Sequence, residues 1–489
     1  MTSRLERITD QRLESLNRIR AHGIDPYPHS YHPSHSIKET IALYQKQREN
    51  LHYVSLAGRI MAKRSMGKMT FADVHDGEGK IQLCFRHDLL GQEKYELLKE
   101  FDIGDFMGAQ GSLFQTKTGE ITLEVTDFTM LSKSLRPLPE KWHGLADIEI
   151  RYRQRYLDLI CNKEVRDIFV LRSRIIAATR NFLNTKGFIE VETPVLQPQA
   201  GGALARPFIT HHHTLDEDLY LRIALELHLK RLIIGGFDRV YELGRVFRNE
   251  GISVKHNPEF TLLECYQAYT DYFDMMNLVE EMFAYISQEV LGNTKIDYNG
   301  KTINFTPPWQ RLSLREAIKI YCSIDFENYP DAVTLRQQMA ALGMEVDPAK
   351  ERGKLIDDLI STFVEPNLTQ PTFLLDYPVE MSPLAKKKRD NARLVERFEG
   401  FIAGIEIANA FTELNDPVDQ RERFLQQVKE RVSDGEVEIA DEDFLQALEY
   451  GMPPTGGLGI GIDRAVMLLT GQQSIRDVIL FPQLKKKND

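Results

Sequence analysis

A chain of 489 residues exceeds one ordinary domain, and its 42% hydrophobic and 27% charged residues are those of a globular protein with a sizeable core. No run of about 18 apolar residues occurs, so no membrane-spanning helix is expected. The charged start MTSRLERITDQRLESLNRIR lacks the apolar core of a secretory signal, which leaves the cytoplasm as the expected location. The net charge of -11 argues against a nucleic-acid partner, yet residues 1–86 hold 14 Lys and Arg against 9 Asp and Glu, a basic part on an acidic remainder that suggests RNA contact at one end.

Leu5, Ile8, Leu16 and Ile19 follow a helical period over residues 1–21, and Pro26, Pro28 and Pro33 then break the chain. From about Val54 to Leu131 the period becomes two. Ile81, Leu83 and Phe85 alternate with Gln82, Cys84 and Arg86, and the turn HDGEGK separates two such runs. Short strands over about 80 residues predict a small antiparallel barrel. Ala72 and Val74 face inward on this alternation, so Phe71 and Gln82 face outward near Arg64. Such a surface suits base stacking and base reading, and it is equally compatible with a surface Phe covered by a loop.

Residues 1–50 therefore read as a helical extension, 51–133 as the barrel, and 134–150, with two prolines, as a linker. Residues 151–489 read as one long mixed domain, with a helix around 164–186 that stops at Lys186-Gly187 and a more helical insertion at 308–370. Cys84, Cys161, Cys265 and Cys322 are scattered without a CxxC pair, so neither a disulfide framework nor a cysteine zinc site is expected. HHH at 211–213 reads as a polar turn, and the tail LKKKND as a frayed end.

Four segments carry chemistry. In FRNEGISVKHNPEF (247–260), Arg248 and Glu250 share a face if a strand ends at Glu250, and the turn after them returns His256 to the same place. The planar fork of Arg suits a phosphate or carboxylate. In TLLECYQAY, Glu264 and Tyr266 share an apolar face, where a buried carboxylate calls for a cationic partner. In EGFIAGIEIANAFTELND, Asn409, Phe411 and Glu413 alternate onto one face; Glu399 and Glu406 are further carboxylates of the kind magnesium accepts, and the parity of Glu406 calls for a bulge or bend if it is to face one site with Asn409. In GLGIGIDRAVMLLTG, a glycine-rich strand on which a flat ring can lie runs into a helix near Asp463, with Arg464 at its start. The first segment alone also fits a salt-bridged surface hairpin, each single Glu of the third an exposed strand end, and the glycine run of the fourth matches neither the P-loop nor the dinucleotide fingerprint.

Together and in this order they resemble the class II aminoacyl-tRNA synthetases. KGFIEVETPVL (186–196) is similar to their first motif, FRNEG…HNPEF to the second and GLGIGIDR to the third. A barrel followed by this domain resembles the subgroup serving lysine, aspartate and asparagine. GRIMAKRSMGKMTF, GGALARPF, YLRIALELHLK and HNPEFTLLECYQAY are most similar to bacterial-type lysine–tRNA ligases, over about residues 50–483.

The resemblance implies an α+β protein: an N-terminal OB-fold barrel that binds the anticodon, and an antiparallel sheet flanked by helices that forms the catalytic domain. It implies ATP-dependent activation of L-lysine to lysyl-adenylate, transfer to the 3′ end of a lysine tRNA, magnesium as cofactor and a homodimer through the first motif. By position, Arg248 bridges the α-phosphate and the lysine carboxylate. Glu226 and the Gly202 backbone hold the α-amino group, while Glu264, Tyr266 and Glu413 hold the ε-ammonium. Asn409 contacts the carboxylate and Phe411 the aliphatic stem. Glu250, His256, Asn257, Phe260 and Arg464 hold ATP, Glu399 and Glu406 hold magnesium, and Arg64, Phe71 and Gln82 read the anticodon. Four positions depart from the family's commonest pattern: Leu225 replaces a usual Pro, Ile405 a usual Arg, and Ala408 and Ala410 usual glycines.

Overall fold

The computed structural model describes residues 3–46, 53–139, 145, 147–199, 201–203, 205–433 and 441–486, with the side chains of 428–433 not included. Parts of the expected linker and the end of the LKKKND tail lie outside these residues. The chain forms two compact units, Met1–Gly144 and Leu145–Asp489, and the division falls within the segment 134–150.

In the first unit, strands β1 (Tyr53–Met66), β2 (Met69–His75), β3 (Lys80–Arg86), β4 (Phe106–Gln115) and β5 (Ile121–Ser132) close a barrel in the order β1-β2-β3-β5-β4. This is the five-stranded OB-fold arrangement, antiparallel except for the β3–β5 pair. The period-two residues Val74, Ile81, Leu83 and Phe85 fill its interior. Helices α1 (Arg4–Ala21) and α2 (Ile37–Lys46) pack on it through Ile19, Ile37 and Tyr44. In α1 only the second half of the apolar stripe is buried: Leu16 and Ile19 are covered, whereas Leu5 is exposed. Between the two helices Tyr31 lies on the barrel at Gly108, where a Cβ would come within 2.3 Å of the ring.

The second unit is built on an eight-stranded sheet. Its strands are β6 (Ile189–Glu190), β7 (Arg239–Phe247), β8 (Glu259–Ala268), β9 (Gln310–Ser313), β10 (Thr372–Pro378), β11 (Leu394–Ile402), β12 (Ile405–Thr412) and β13 (Thr455–Gly461), in the order β9-β10-β11-β12-β13-β8-β7-β6. The six central strands are antiparallel, and the pairs β9–β10 and β7–β6 at the edges are parallel. Helices α3 (Lys163–Thr185), α4 (Glu226–Ile234), α5 (Tyr272–Leu291) and α6 (Ile462–Leu469) flank it. The largest core packs α3, α5 and α6 against one face through residues such as Phe182, Met276, Phe283 and Val466. The 308–370 segment is not purely helical, because Gln310–Ser313 supplies the edge strand β9; its helices share a separate core with β10 and β11.

Candidate active site

The sheet register assembles the site. Glu264 on β8 pairs with Gly459 on β13, Gly459 with Asn409 on β12, and Asn409 with Glu399 on β11, forming one row across four strands. The next row is Tyr266, Gly457, Phe411 and Arg397. Cross-strand partners point to the same side, so segments more than 100 residues apart meet on one face. The glycines in the middle of each row leave a trough. A Cβ on Gly457 would come within 1.8 Å of Glu413 Oε1 and 2.6 Å of Tyr266 Cε1. The trough is the floor of a cleft of about 500 Å3.

One end of the cleft is acidic. Glu264 is buried; its Oε1 accepts from the Leu225 N–H at 3.0 Å and its Oε2 from the Tyr266 hydroxyl at 3.0 Å. Burial, with Glu226 adding to it, pushes the Glu264 carboxyl up to about 7. Glu226, at the first turn of α4, accepts from Lys230 Nζ at 2.5 Å, and Lys230 also pairs with Glu413. Glu413 lies just beyond β12 and is buried, and its Oε1 has no hydrogen-bond donor. Burial raises its pKa well above the carboxylate range, against the opposing pull of Lys230. Gly202 approaches this end at φ +84°, a left-handed conformation, and a Cβ there would press on Ala224 at 3.2 Å and Glu226 at 3.4 Å.

The other end is cationic. The Arg248 guanidinium lies 5.2 Å from the centre of the Phe260 ring and donates from Nε to the Ile223 carbonyl at 3.3 Å. Arg464, in the first turn of α6, donates to the Glu406 carbonyl at 2.8 Å and to Glu406 Oε2 at 2.9 Å, and its second nitrogen lies 3.2 Å from His256 Nε2. Partial desolvation, reinforced by Arg464, lowers the His256 pKa. Asp463 fixes the start of α6, accepting from Arg172 on α3 and from the Thr261 N–H, both at 2.6 Å.

Glu399 and Glu406 face one another electrostatically. Glu399 accepts from Tyr377 at 2.8 Å and from Arg397 at 2.5 Å, and burial, opposed by Arg397 and reinforced by Glu406, pushes its pKa up to about 7. Burial also acts on Glu406, but Arg464 and Arg397 outweigh it and the net shift is downward. Glu406 raises the carboxyl of Glu399, and two carboxylates set near Arg464 and Arg397 are oxygen donors of the kind magnesium accepts. The register slips at Ile407, where Gly400 faces Ala408 but Phe401 faces Glu406. This is the bulge that the parity of Glu406 required, and Glu406 lines the cleft with Asn409.

One local expectation is corrected. Strand β7 ends at Phe247, not Glu250, so Arg248 and Glu250 reach the cleft from the loop that follows rather than from alternation in a strand. That loop folds back by Arg248 N–H donating to the Pro258 carbonyl at 2.8 Å. Asn257 and Phe260 line the cleft too; the Asn257 side chain is also structural, donating to the Glu259 carbonyl at 2.6 Å and accepting from Gln483 N–H at 3.2 Å. Glu399 stands in the Asn409 row without lining the cleft.

Two residues were missed. Arg397 donates to Asn409 Oδ1 at 3.1 Å, to Ser382 Oγ at 2.8 Å and to Glu399, and it lies 4.6 Å from the Tyr377 ring. It thereby turns the Asn409 amide nitrogen free as a donor, and its period-two spacing from Glu399 was the available signal. Lys230 was readable as the i+4 partner of Glu226 on a helix.

On the barrel, Arg64 pairs in register with Phe71, and Gln82 with Asp73. All three lie on the outer face; the Arg64 side chain is 58% exposed, 3.9 Å from Asp73, and Gln82 Oε1 accepts from Thr122 at 3.2 Å.

The trough thus has a glycine floor on an antiparallel sheet, arginines at one end and carboxylates at the other. The family model for class II tRNA synthetases (D, K and N) matches residues 147–485, and that for the OB-fold nucleic acid binding domain matches residues 54–131. The chain is 58% identical to a lysine–tRNA ligase of Dehalococcoides mccartyi, over 99% of this chain and 98% of that protein. It is 58% identical to one of Moorella thermoacetica over 98% of each, and 53% identical to one of Carboxydothermus hydrogenoformans over 99% of each. The chain belongs to the class II tRNA synthetases, and within them to the lysine–tRNA ligases. Among the described residues no helix is long and apolar enough to cross a membrane.

Proposed function

We propose that the protein activates L-lysine with ATP and transfers it to the 3′ end of a lysine tRNA in the cytoplasm. The observation that carries this reading is the buried trio Glu226, Glu264 and Glu413 at the opposite end of the cleft from Arg248 and Arg464. An aspartate- or asparagine-activating pocket needs a cation or an amide donor where these carboxylates stand.

Lysine lies along the trough. Glu226 and the backbone at Gly202 take its α-amino group, Phe411 packs on the stem, and Glu264, Tyr266 and Glu413 receive the ε-ammonium. The Asn409 amide, oriented by Arg397, donates to the carboxylate. Arg248 holds that carboxylate beside the α-phosphate of ATP, whose adenine lies against Phe260, with Glu250, His256 and Asn257 around the nucleotide. A carboxylate oxygen attacks the α-phosphorus in line, and the bond to the bridging oxygen of pyrophosphate breaks. The nucleophile is already ionised, so no general base is required; positioning and charge stabilisation carry the step. Arg464 neutralises the leaving pyrophosphate. The terminal ribose hydroxyl of tRNA then attacks the adenylate carbonyl and AMP departs. Glu399 and Glu406 would hold Mg2+, which would supply charge neutralisation to the phosphates of ATP.

The outer face of the barrel at Arg64, Phe71 and Gln82 reads the anticodon by stacking and hydrogen bonding. Exposed Val170, Ile189, Leu196 and Ile209, on and after α3, support a homodimer formed through the first motif. The test is ATP–pyrophosphate exchange against all twenty amino acids. Exchange with lysine alone is expected, and exchange with another amino acid would overturn the pocket assignment.

A further inference from the structure

Lys230 is a charged side chain with no solvent exposure, inside a helix, behind the wall of the cleft. Its ammonium contacts Glu226 Oε1 and Glu413 Oε2, and it lies 5.5 Å from the centre of the Phe411 ring and 5.8 Å from that of Phe444. An ammonium buried to this degree is costly unless paired and hydrogen-bonded, and here both of its partners are cleft-lining carboxylates.

We propose that Lys230 is a positioning residue that sets the charge of the amino-acid pocket, clamping Glu226 and Glu413 so that the pocket accepts a substrate with two ammonium groups. This deepens the lysine-activation reading and rests on it. Three carboxylates, Glu226, Glu264 and Glu413, crowd one end of the cleft. Once the substrate's ammonium groups favour the ionised form of all three, the carboxylates and the ammonium of Lys230 together carry two net negative charges, equal to the α- and ε-ammonium charges that lysine brings. The substrate carboxylate is met separately by Arg248. The clamp uses one oxygen of each outer glutamate and leaves Glu413 Oε1, which has no donor of its own, for the substrate. Without the internal ammonium, Glu226 and Glu413 would be two buried carboxylates near a third, and mutual repulsion would make their protons harder still for an entering ammonium to displace. A protonated carboxyl no longer penalises a neutral side chain, and discrimination falls with the charge. The direction of the local shifts agrees: burial alone would lower the Lys230 pKa, but the two carboxylates reverse it, and Lys230 in turn opposes the upward drift of Glu413.

The test uses the full chain with Lys230→Met and Lys230→Arg, measuring exchange with lysine and with norleucine, which has the stem without the ε-ammonium. Lys230→Met is expected to raise the lysine KM about 30-fold or more, to leave the ATP KM within about twofold, and to cut the preference for lysine over norleucine at least tenfold. Lys230→Arg, which restores the charge, is expected to recover most of that preference. A Lys230→Met enzyme with lysine KM within about threefold and its preference intact would overturn the proposal. So would lysine and ATP parameters that decline together with Tm, with Lys230→Arg no better, or failure of both variants to fold, since Lys230 would then only stabilise the helix. Absence of lysine exchange in the unaltered chain is a different failure: it removes the activity itself.

Discussion

The cleft and the barrel face are built in opposite ways. In the cleft the acidic end is buried, and side chains are held by neighbours: Glu264 by Leu225 N–H and Tyr266, half-buried Asn409 by Arg397, and half-buried Glu406 by Arg464. On the barrel, Arg64 and Phe71 stand side by side on an outer surface, and the one ion pair between Arg64 and Asp73 is long and solvated. A buried charge is worth much when its partner arrives and costs much when it does not; a solvated one changes little either way. The first arrangement suits chemistry and amino-acid choice, and the second suits the anticodon reading proposed for the barrel.

The largest expected effect breaks the cleft at its cationic end. Arg248→Ala is expected to lower kcat/KM for lysine-dependent exchange by about 10³-fold, because a donor to the reacting phosphate and carboxylate is lost. Loss of less than about tenfold would remove Arg248 from the reacting centre. Next is Glu264→Gln, expected to raise the lysine KM about 100-fold while the ATP KM stays within about twofold. Gly457→Ala pushes a methyl into the space of Glu413 Oε1, and a lysine KM raised about 30-fold with unchanged ATP KM is expected from steady-state exchange.

The pH profile sharpens the same contrast. Glu264 titrates near 7 in the lysine-free pocket, and an entering ammonium favours its ionised form. Lysine affinity is therefore full above pH 7 and falls below it, with KM rising by up to about tenfold per pH unit, and Glu264→Gln should flatten the profile. Stability of the lysine-free protein has the opposite sign. The raised carboxyl favours the folded state fully below the ordinary value of 4.5, and that contribution is lost as pH rises through about 7. The smallest effect lies on the barrel: Phe71→Ala is expected to raise the tRNA KM in aminoacylation about tenfold, as loss of one stacked base predicts, and to leave exchange unchanged. A fall in exchange would make Phe71 structural.

Local pattern was enough for the barrel, because period-two alternation over β2 and β3 sorts Ala72, Val74 and Leu83 inward and Phe71 and Gln82 outward without knowledge of any other strand. It was also enough to recognise the four chemical segments, whose residue types survive as short motifs. Alternation failed at Arg248 and Glu250, where the chain leaves β7 and a returning loop takes over. Lys230 was passed over because a Glu–Lys pair four apart is ordinarily a solvated helix contact; only its complete burial turns it into part of the pocket.

The sequence by itself determined the family, the two structural classes and most of the charged groups, since these are carried by residue identity and short-range period. The tertiary structure alone decided which of those groups share a site. Register across β8, β13, β12 and β11 aligned Glu264, two glycines, Asn409, Phe411 and Arg397, and a single bulge at Ile407 brought Glu406 to the same face. Burial then raised the Glu264 carboxyl, while Arg464 and Arg397 outweighed it at Glu406. The physical reason is that desolvation and charge coupling depend on neighbours in space, which no stretch of chain encodes alone.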